Sequence, residues 1–497
     1  MKEFTDKIHL PHWLCILLAI VFILRIPSFF EPFSYGDEMI YLTLGNGIRQ
    51  GIPLYKGLHD NKPPLLYILA GIAGNVMFFR MILAFWSFAT IILFWHLTKA
   101  LFPKKFKFQK IATIIFALLT TLPLLEGQIA NAEVFMIGPI IAAFWILLSY
   151  KPTTKNMFSA GCLFGIATLF KVPAAFDMPA IIIFWLITSD LKKENIKKVI
   201  KNSFILISGF LLPILSTFFW YFLKDALKEY VIAAFLQNFG YLSSWRPSDV
   251  QKSFLLKNAP LVIRGAIVML GTFVLFLKRK RFSKPFIFIN LWLLFSLFAI
   301  TLSERPYPHY LIQAVPSVSL LLAILFTSVT KEQTLSIIPL TIAFLVPFYF
   351  KFWYYPTTAY YSRFLEFATG RISKEEYFNR FDSNVNRNYK IASFLMTSSK
   401  PKDKIFVLGD SPPIYALSRR FPPIKYIANY HIKDFYNEES LVHDLSLNEP
   451  LFIVTLPNEP LPLGLYRLLY QDYTFLENID GAKIWYLLKI NNEKAKF

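Results

Sequence analysis

Asp37 and Glu38 stand side by side, and the run His59-Asp60-Asn61-Lys62-Pro63-Pro64-Leu65-Leu66-Tyr67 follows them. Both groups lie between hydrophobic stretches long enough to cross a bilayer. A carboxylate so placed can take a proton from a hydroxyl, and a fixed ammonium at the membrane surface suits a lipid phosphate. Adjacent residues on a helix diverge by about 100°, so the two carboxylates should have separate jobs. Their plain structural roles are that Asp37 caps the helix opened at Gly36 and Glu38 favours its positive first turn. The two roles can coexist with chemistry, because a capping carboxylate can point its other oxygen at a substrate. Two prolines after Lys62 stiffen the chain and remove two backbone donors, which would fix its ammonium; the competing reading is an interfacial lysine snorkelling to water. His59 and Asn61 could add hydrogen bonds or simply form loop surface.

A second candidate for anion binding is Arg305-Pro306-Tyr307-Pro308-His309-Tyr310, in a tight turn between two apolar stretches. Charged groups in such places usually face the bundle interior or a polar cavity. Pairing of Arg305 with Glu304 or Asp37 is the structural alternative. Glu126, Asn131, Glu133, Lys171, Arg80 and Arg264 could complete a polar cluster, although each alone is equally explained by an ion pair. Gly45-Asn46-Gly47 lacks the third glycine and the preceding strand of a dinucleotide fold, and Walker, His-Glu-x-x-His and Gly-x-Ser-x-Gly motifs are absent from the sequence. Nucleotide and hydrolase chemistry have no foothold. A transferase on the outer side would therefore need a group activated beforehand on a lipid carrier.

The elements that must position these residues belong to a membrane protein. Hydrophobic residues make up 55% of the 497 positions and aromatics 18%, more than polar surface could cover in water. Eleven candidate spans centre near Ile20, Phe88, Ala117, Ala142, Ala167, Ile183, Leu211, Met269, Phe295, Leu320 and Phe344, the fifth and sixth being short. Lysine and arginine concentrate in alternate loops: Lys2 and Lys7, Lys99 to Lys110, Lys151 and Lys155, Lys192 to Lys201, and Lys278 to Lys284. Those loops should face the cytoplasm. The polar motifs and the tail then face outward. The net charge of +20 suits anionic headgroups beside the spans rather than nucleic acid. Cys15 and Cys162 both fall in apolar spans, so neither a disulfide framework nor a cysteine metal site is available. The first span, followed by Arg25-Ile26-Pro27, reads as an uncleaved signal anchor.

Along the chain, residues 31–64 form a first outer loop with a helix from Gly36 to Ile48, and residues 65–76 suggest a short interfacial helix. Lys224 to Asn258 reads as an amphipathic segment able to act as a lid, and Gly161 with Gly165 as a helix-packing pair. Residues 1–353 are expected to form the transmembrane domain, 354–388 a helical linker and 389–497 a small α/β domain. In the last, Lys404 to Leu408 and Leu451 to Leu456 read as strands, Pro413 to Arg420 and Leu463 to Tyr473 as helices.

The chain resembles the membrane glycosyltransferases of the GT-C class, most of all the bacterial relatives of protein O-mannosyltransferases and of the aminoarabinose transferase that modifies lipid A. The resemblance rests on Gly36-Asp37-Glu38, Asn61-Lys62-Pro63-Pro64-Leu65, Arg80, Asn131-Ala132-Glu133, Leu169-Phe170-Lys171-Val172-Pro173, and Arg305 to Pro316 with His309-Tyr310. Together these cover residues 1 to 350. The resemblance implies an all-α polytopic bundle of about eleven transmembrane helices with a small C-terminal extracytoplasmic α/β domain. It also implies that Asp37 is the catalytic base and Lys62 contacts the phosphate of a polyprenyl donor. Leu-Phe-Lys-Val-Pro departs from the Thr-Lys-Gly-Pro common in relatives and leaves donor and acceptor open.

The expected activity is inverting transfer of a hexose or pentose from a polyprenyl phosphate to a hydroxyl of a lipid, glycan or protein, on the outer face of a prokaryotic plasma membrane. Asp37 would be the base, Glu38 would orient Asp37 or the acceptor, and Lys62, Arg305 and His309 would stabilise the departing phosphate. His59, Asn61, Arg80, Glu133 and Lys171 would support them. A divalent metal is compatible with this chemistry but has no clear ligand set. The alternatives are a transporter or lipid-linked sugar flippase, with the same charges lining a passage, and a noncatalytic sensor whose outer domain binds a ligand.

Overall fold

The computed structural model describes residues 10–240, 253–303 and 305–488. Lys2, Lys7, Glu304 and residues 241–252 of the expected lid lie outside the described residues.

Each expected span centre falls on or at the end of a helix, but the helices are not all of spanning length. Among the described residues eight are long and apolar enough to cross a bilayer: His12–Phe30, Val76–Leu101, Ala132–Ser149, Lys193–Leu223, Asn258–Lys278, Lys284–Thr301, Pro308–Thr327 and Lys331–Tyr349. The third expected span is a helix of 14 residues, Phe106–Leu119, and the fifth one of 15, Thr154–Thr168. The sixth is a 3-10 turn at Val172–Asp177 running into Met178–Thr188. At about 1.5 Å per residue these cover less than the roughly 30 Å hydrocarbon layer.

The Gly161–Gly165 pair lets one of these short helices pack closely on a longer one. A Cβ on Gly161 would strike the backbone of Leu206, one on Gly165 that of Phe210, and one on Gly209 that of Phe158. Thr154–Thr168 therefore lies backbone to backbone on Lys193–Leu223, the close approach small residues permit. Phe204, Phe219, Ile263 and Met269 stay exposed on the long helices. In water that would be an aggregating patch, and here it is the lipid-facing belt. Trp292, Phe144 and Phe288 stack edge to face in the bundle core.

Residues 31–73 fold around a helix, Gly36–Arg49, and a second, nine-residue helix, Leu65–Ala73. The two touch through their glycines, since a Cβ on Gly71 would stand 2.9 Å from the Gly45 carbonyl oxygen. Ile68 and Ile72 point out of the packed face, as the apolar side of an interfacial helix should.

After Tyr349 come helices Thr357–Ala368, Lys374–Asn379 and Val385–Ser398, then a four-stranded sheet. Strand β1 (Ile405–Leu408) pairs in parallel with β2 (Phe452–Thr455), which pairs antiparallel with β4 (Ala482–Leu487), itself antiparallel to β3 (Tyr473–Ile479). The β3–β4 hairpin was not expected from the pattern, because β3 is mostly exposed and interrupted by a register shift between Phe475 and Glu477. Its turn is nonetheless visible in Asp480-Gly481, both at positive φ, the pair that a two-residue hairpin turn prefers.

Candidate functional site

Asp37 is the second residue of its helix and caps nothing: the residue before the helix is Tyr35, and no side chain bonds the free N–H groups there. Its Oδ2 instead accepts from the hydroxyl of Tyr41, one turn on, at 2.8 Å. Across from it the Lys62 ammonium lies 3.7 Å from the same oxygen and 5.0 Å above the Tyr41 ring. The structure thus brings together the two groups singled out from the sequence, and leaves them part-exposed at 36% for Asp37 and 19% for Lys62. Lys62 is placed by its own loop. Its carbonyl accepts from Tyr55 and its N–H donates to the Tyr67 hydroxyl, while Pro63 and Pro64 lead straight into Leu65–Ala73.

Burial works to raise the Asp37 pKa. The charges of Lys62, His309 and Lys171 and the Tyr41 hydrogen bond outweigh it, and hold the carboxyl below the usual range. Lys171 and His309 therefore belong to the electrostatic neighbourhood of Asp37. Lys171 is paired with Glu133 and sits 3.6 Å from the centroid of the Tyr310 ring. The His309 Nδ1 is paired with Glu126, whose Oε2 also accepts from the Tyr35 hydroxyl at 3.0 Å. The other ring nitrogen of His309 lies 3.9 Å from Glu133.

Glu38 turns the other way, as adjacent helical positions must. It is fully buried, accepts two bonds from Arg80 and one from the Ala130 N–H, and so faces the bundle rather than Asp37. Arg80 also pairs with Glu31 and donates to the Ser28 carbonyl. This cluster anchors the base of the first-loop helix. Asn61 is buried with its carbonyl accepting from Asn238. His59 faces the C-terminal region: its N–H donates to the Lys425 carbonyl and its ring contacts Tyr426, His431 and Phe435. Arg305 is exposed, close enough to Tyr310 to act on it electrostatically.

Four residues of this neighbourhood were not singled out from the sequence. Tyr41 carries a usable signal, four residues after a candidate base on one helix face. Tyr67 and Asp60 flank Lys62 in the quoted run, and the Tyr67 hydroxyl donates to Asp60 Oδ2 at 2.8 Å. Tyr35 precedes the helix and carries no signal of its own. Among the described residues no group of three or more His, Cys, Asp or Glu side chains is arranged to hold a metal ion.

No protein-family model matches this chain, and no curated protein matches it by sequence. Solved structures do. ArnT, an aminoarabinose transferase from Cupriavidus metallidurans, solved bound to undecaprenyl phosphate, superposes with a TM-score of 0.60 at 12% identity over 96% of this chain and 98% of that one. The same enzyme in its apo state gives 0.55 at 12% identity, over 95% and 97%. With so little identity over nearly the full length of both chains, the likeness is one of architecture: this polytopic helical bundle with its small C-terminal sheet has the fold of a GT-C membrane glycosyltransferase.

Proposed function

We propose that the chain is a glycosyltransferase that moves a sugar from a polyprenyl phosphate to an acceptor hydroxyl at the outer face of the plasma membrane. The observation that carries this is the Asp37–Lys62 pair, part-exposed and 3.7 Å apart at the end of the bundle, beside carboxylates that are buried and already paired. The fold shared with an enzyme solved with undecaprenyl phosphate supports the choice of donor. The crowding of basic residues into the alternate loops supports the orientation, with the N-terminus inside and the C-terminal sheet outside.

In this reading the acceptor oxygen attacks the anomeric carbon, its proton passes to Asp37, and the sugar–phosphate bond breaks with its electron pair leaving on the phosphate. Lys62 meets the growing negative charge, a role suited to a cation placed beforehand in a sheltered site. Lys171 and His309 add positive potential at Asp37, and Arg305 acts on neighbouring Tyr310. Free Asp37 is a weak base because Lys62 stabilises its ionised form. A donor phosphate that engages Lys62 lifts that restraint and adds negative charge nearby, so the carboxylate becomes more basic once the donor is bound. The chemistry is assigned to these side chains and no step to a metal. The sugar in this reading is a hexose or pentose and the acceptor a lipid, glycan or protein. The flippase alternative would place charge along a passage with broken helices near the midplane, whereas these groups gather at helix ends.

The test is turnover of a polyprenyl-phosphate sugar by purified protein. Asp37→Asn should lower the rate by about 10² to 10⁴, the usual worth of a positioned base. An unchanged rate would remove Asp37 from the mechanism.

A further inference from the structure

Lys62 does not belong to Asp37 alone. Its ammonium lies 3.8 Å from Asp60 Oδ2, nearly the same distance as from Asp37. The position of Asp60 thus bears on where the ammonium sits between the two carboxylates. Asp60 is only 1% exposed, and a carboxylate so buried needs compensation at both oxygens. Oδ2 has the Tyr67 hydroxyl and Lys62. Oδ1 takes no hydrogen bond among the described residues, and the group facing it is Nε2 of His431, 3.8 Å away.

His431 is on helix Asn429–Phe435 of the C-terminal region, itself 3% exposed. A proton on its Nδ1 would bury an N–H with no partner, whereas a proton on Nε2 directs the N–H dipole at the Asp60 carboxylate. The helix is fixed against the Lys62 loop by a backbone bridge, the His59 N–H to the Lys425 carbonyl at 2.8 Å, and by the His59 and His431 rings at 5.3 Å. A residue distant in sequence therefore reaches the carboxylate two positions before Lys62.

We propose that Asp60 and His431 are positioning residues for the phosphate-binding lysine: His431 orients Asp60, and Asp60 keeps the Lys62 ammonium from collapsing onto Asp37. The C-terminal region is then a working part of the donor site and not an appended module. This rests on the polyprenyl-phosphate reading above.

The experiment measures binding of undecaprenyl phosphate to the purified full-length protein in nanodiscs, with a melting temperature for each variant. Lys62→Ala is the reference for a lost phosphate contact. His431→Phe keeps a ring against Tyr426 and Phe435 but has no N–H dipole facing Asp60 Oδ1; it should raise Kd about tenfold, the order expected when a buried carboxylate loses a compensating polar neighbour. His431→Gln, which restores a donor, should return Kd to near wild type. Asp60→Asn keeps an acceptor for Tyr67 but removes the charge, and should weaken binding at least as much as His431→Phe. In the double variant the two effects should not add, because they act through one chain of contacts. Unchanged binding by Lys62→Ala overturns the donor reading and this proposal with it. Weakened binding by Lys62→Ala, with His431→Phe normal, with no rescue by glutamine, or with additive effects in the double variant, overturns the positioning role alone. Should His431→Phe fail to fold, Asp60→Asn decides: wild-type Kd there overturns the proposal.

Discussion

Glu38 and Arg80 form a fully buried ion pair, Oε2 to Nη2 at 2.5 Å, directly after the part-exposed Asp37. One carboxylate of the acidic pair is thus anchored to the bundle while its neighbour is left to face Lys62. The anchor also holds Glu31 through the same guanidinium, so removing Arg80 strands two buried carboxylates. Arg80→Ala should destabilise the protein by about 3 to 5 kcal/mol, the usual cost of breaking a buried pair from one side. Thermal unfolding in detergent measures it. Glu38→Gln should lower stability while leaving kcat of the surviving folded fraction within about threefold of wild type, since Asp37 is untouched.

The pH dependence of turnover should report the charges around Asp37. Lys62, His309 and Lys171 oppose the effect of burial and hold its pKa below the ordinary value, so in the free wild-type enzyme it stays ionised down to the acid end of the accessible range. Removing one of those charges must raise its pKa. In Lys62→Ala the acid limb of kcat/KM should therefore move to higher pH, together with the loss of donor affinity. A limb that stays in place or moves to lower pH contradicts the assignment.

The helix that carries Asp37 and the helix that follows the Lys62 loop meet at Gly45 and Gly71, where a side chain on either would press into backbone. Neither helix can yield without moving Asp37 or Lys62. Gly71→Ala should cost about 1 to 3 kcal/mol by overpacking, and lower kcat more than it raises the acceptor KM. Initial rates at varied acceptor concentration separate the two constants.

His59 titrates where the first loop meets the C-terminal region. Burial, reinforced by nearby His431, lowers its pKa to about 4, against about 6.5 in an unfolded chain. A group with a lowered folded pKa contributes stability that is complete above its unfolded value and is lost as pH falls toward the folded one. Contact between the loop and residues 425–435 should accordingly weaken from about pH 6.5 down to about 4. Hydrogen exchange of the amides in that segment, compared with His59→Gln, checks it; equal protection across the range in wild type argues against a buried neutral imidazole.

Much of this was legible in the sequence because it is written in local patterns. Apolar runs announced the membrane class, Gly36 and Gly51 bracketed the first-loop helix, and Lys62-Pro63-Pro64 announced a stiff turn into an interfacial helix. Two of the eleven expected spans are short helices, Phe106–Leu119 and Thr154–Thr168, bounded by lysines, threonines and prolines whose effect a hydropathy window averages out. The β3–β4 hairpin escaped because an exposed strand lacks the alternation by which strands are recognised.

Composition and spacing by themselves determined that this is a polytopic membrane protein with carboxylates and cations in the loops between its spans, for hydrophobicity and backbone stiffness act within a few residues. Only the tertiary structure decided which charge meets which. It gave Glu38 to Arg80 and Lys171 to Glu133, and joined Glu126 to His309 across 183 positions. It also set Asp60 between Lys62 and a histidine from the far end of the chain. Ion pairs of this kind have no sequence period, because a buried charge takes whichever opposite charge the packing of apolar helices brings within reach.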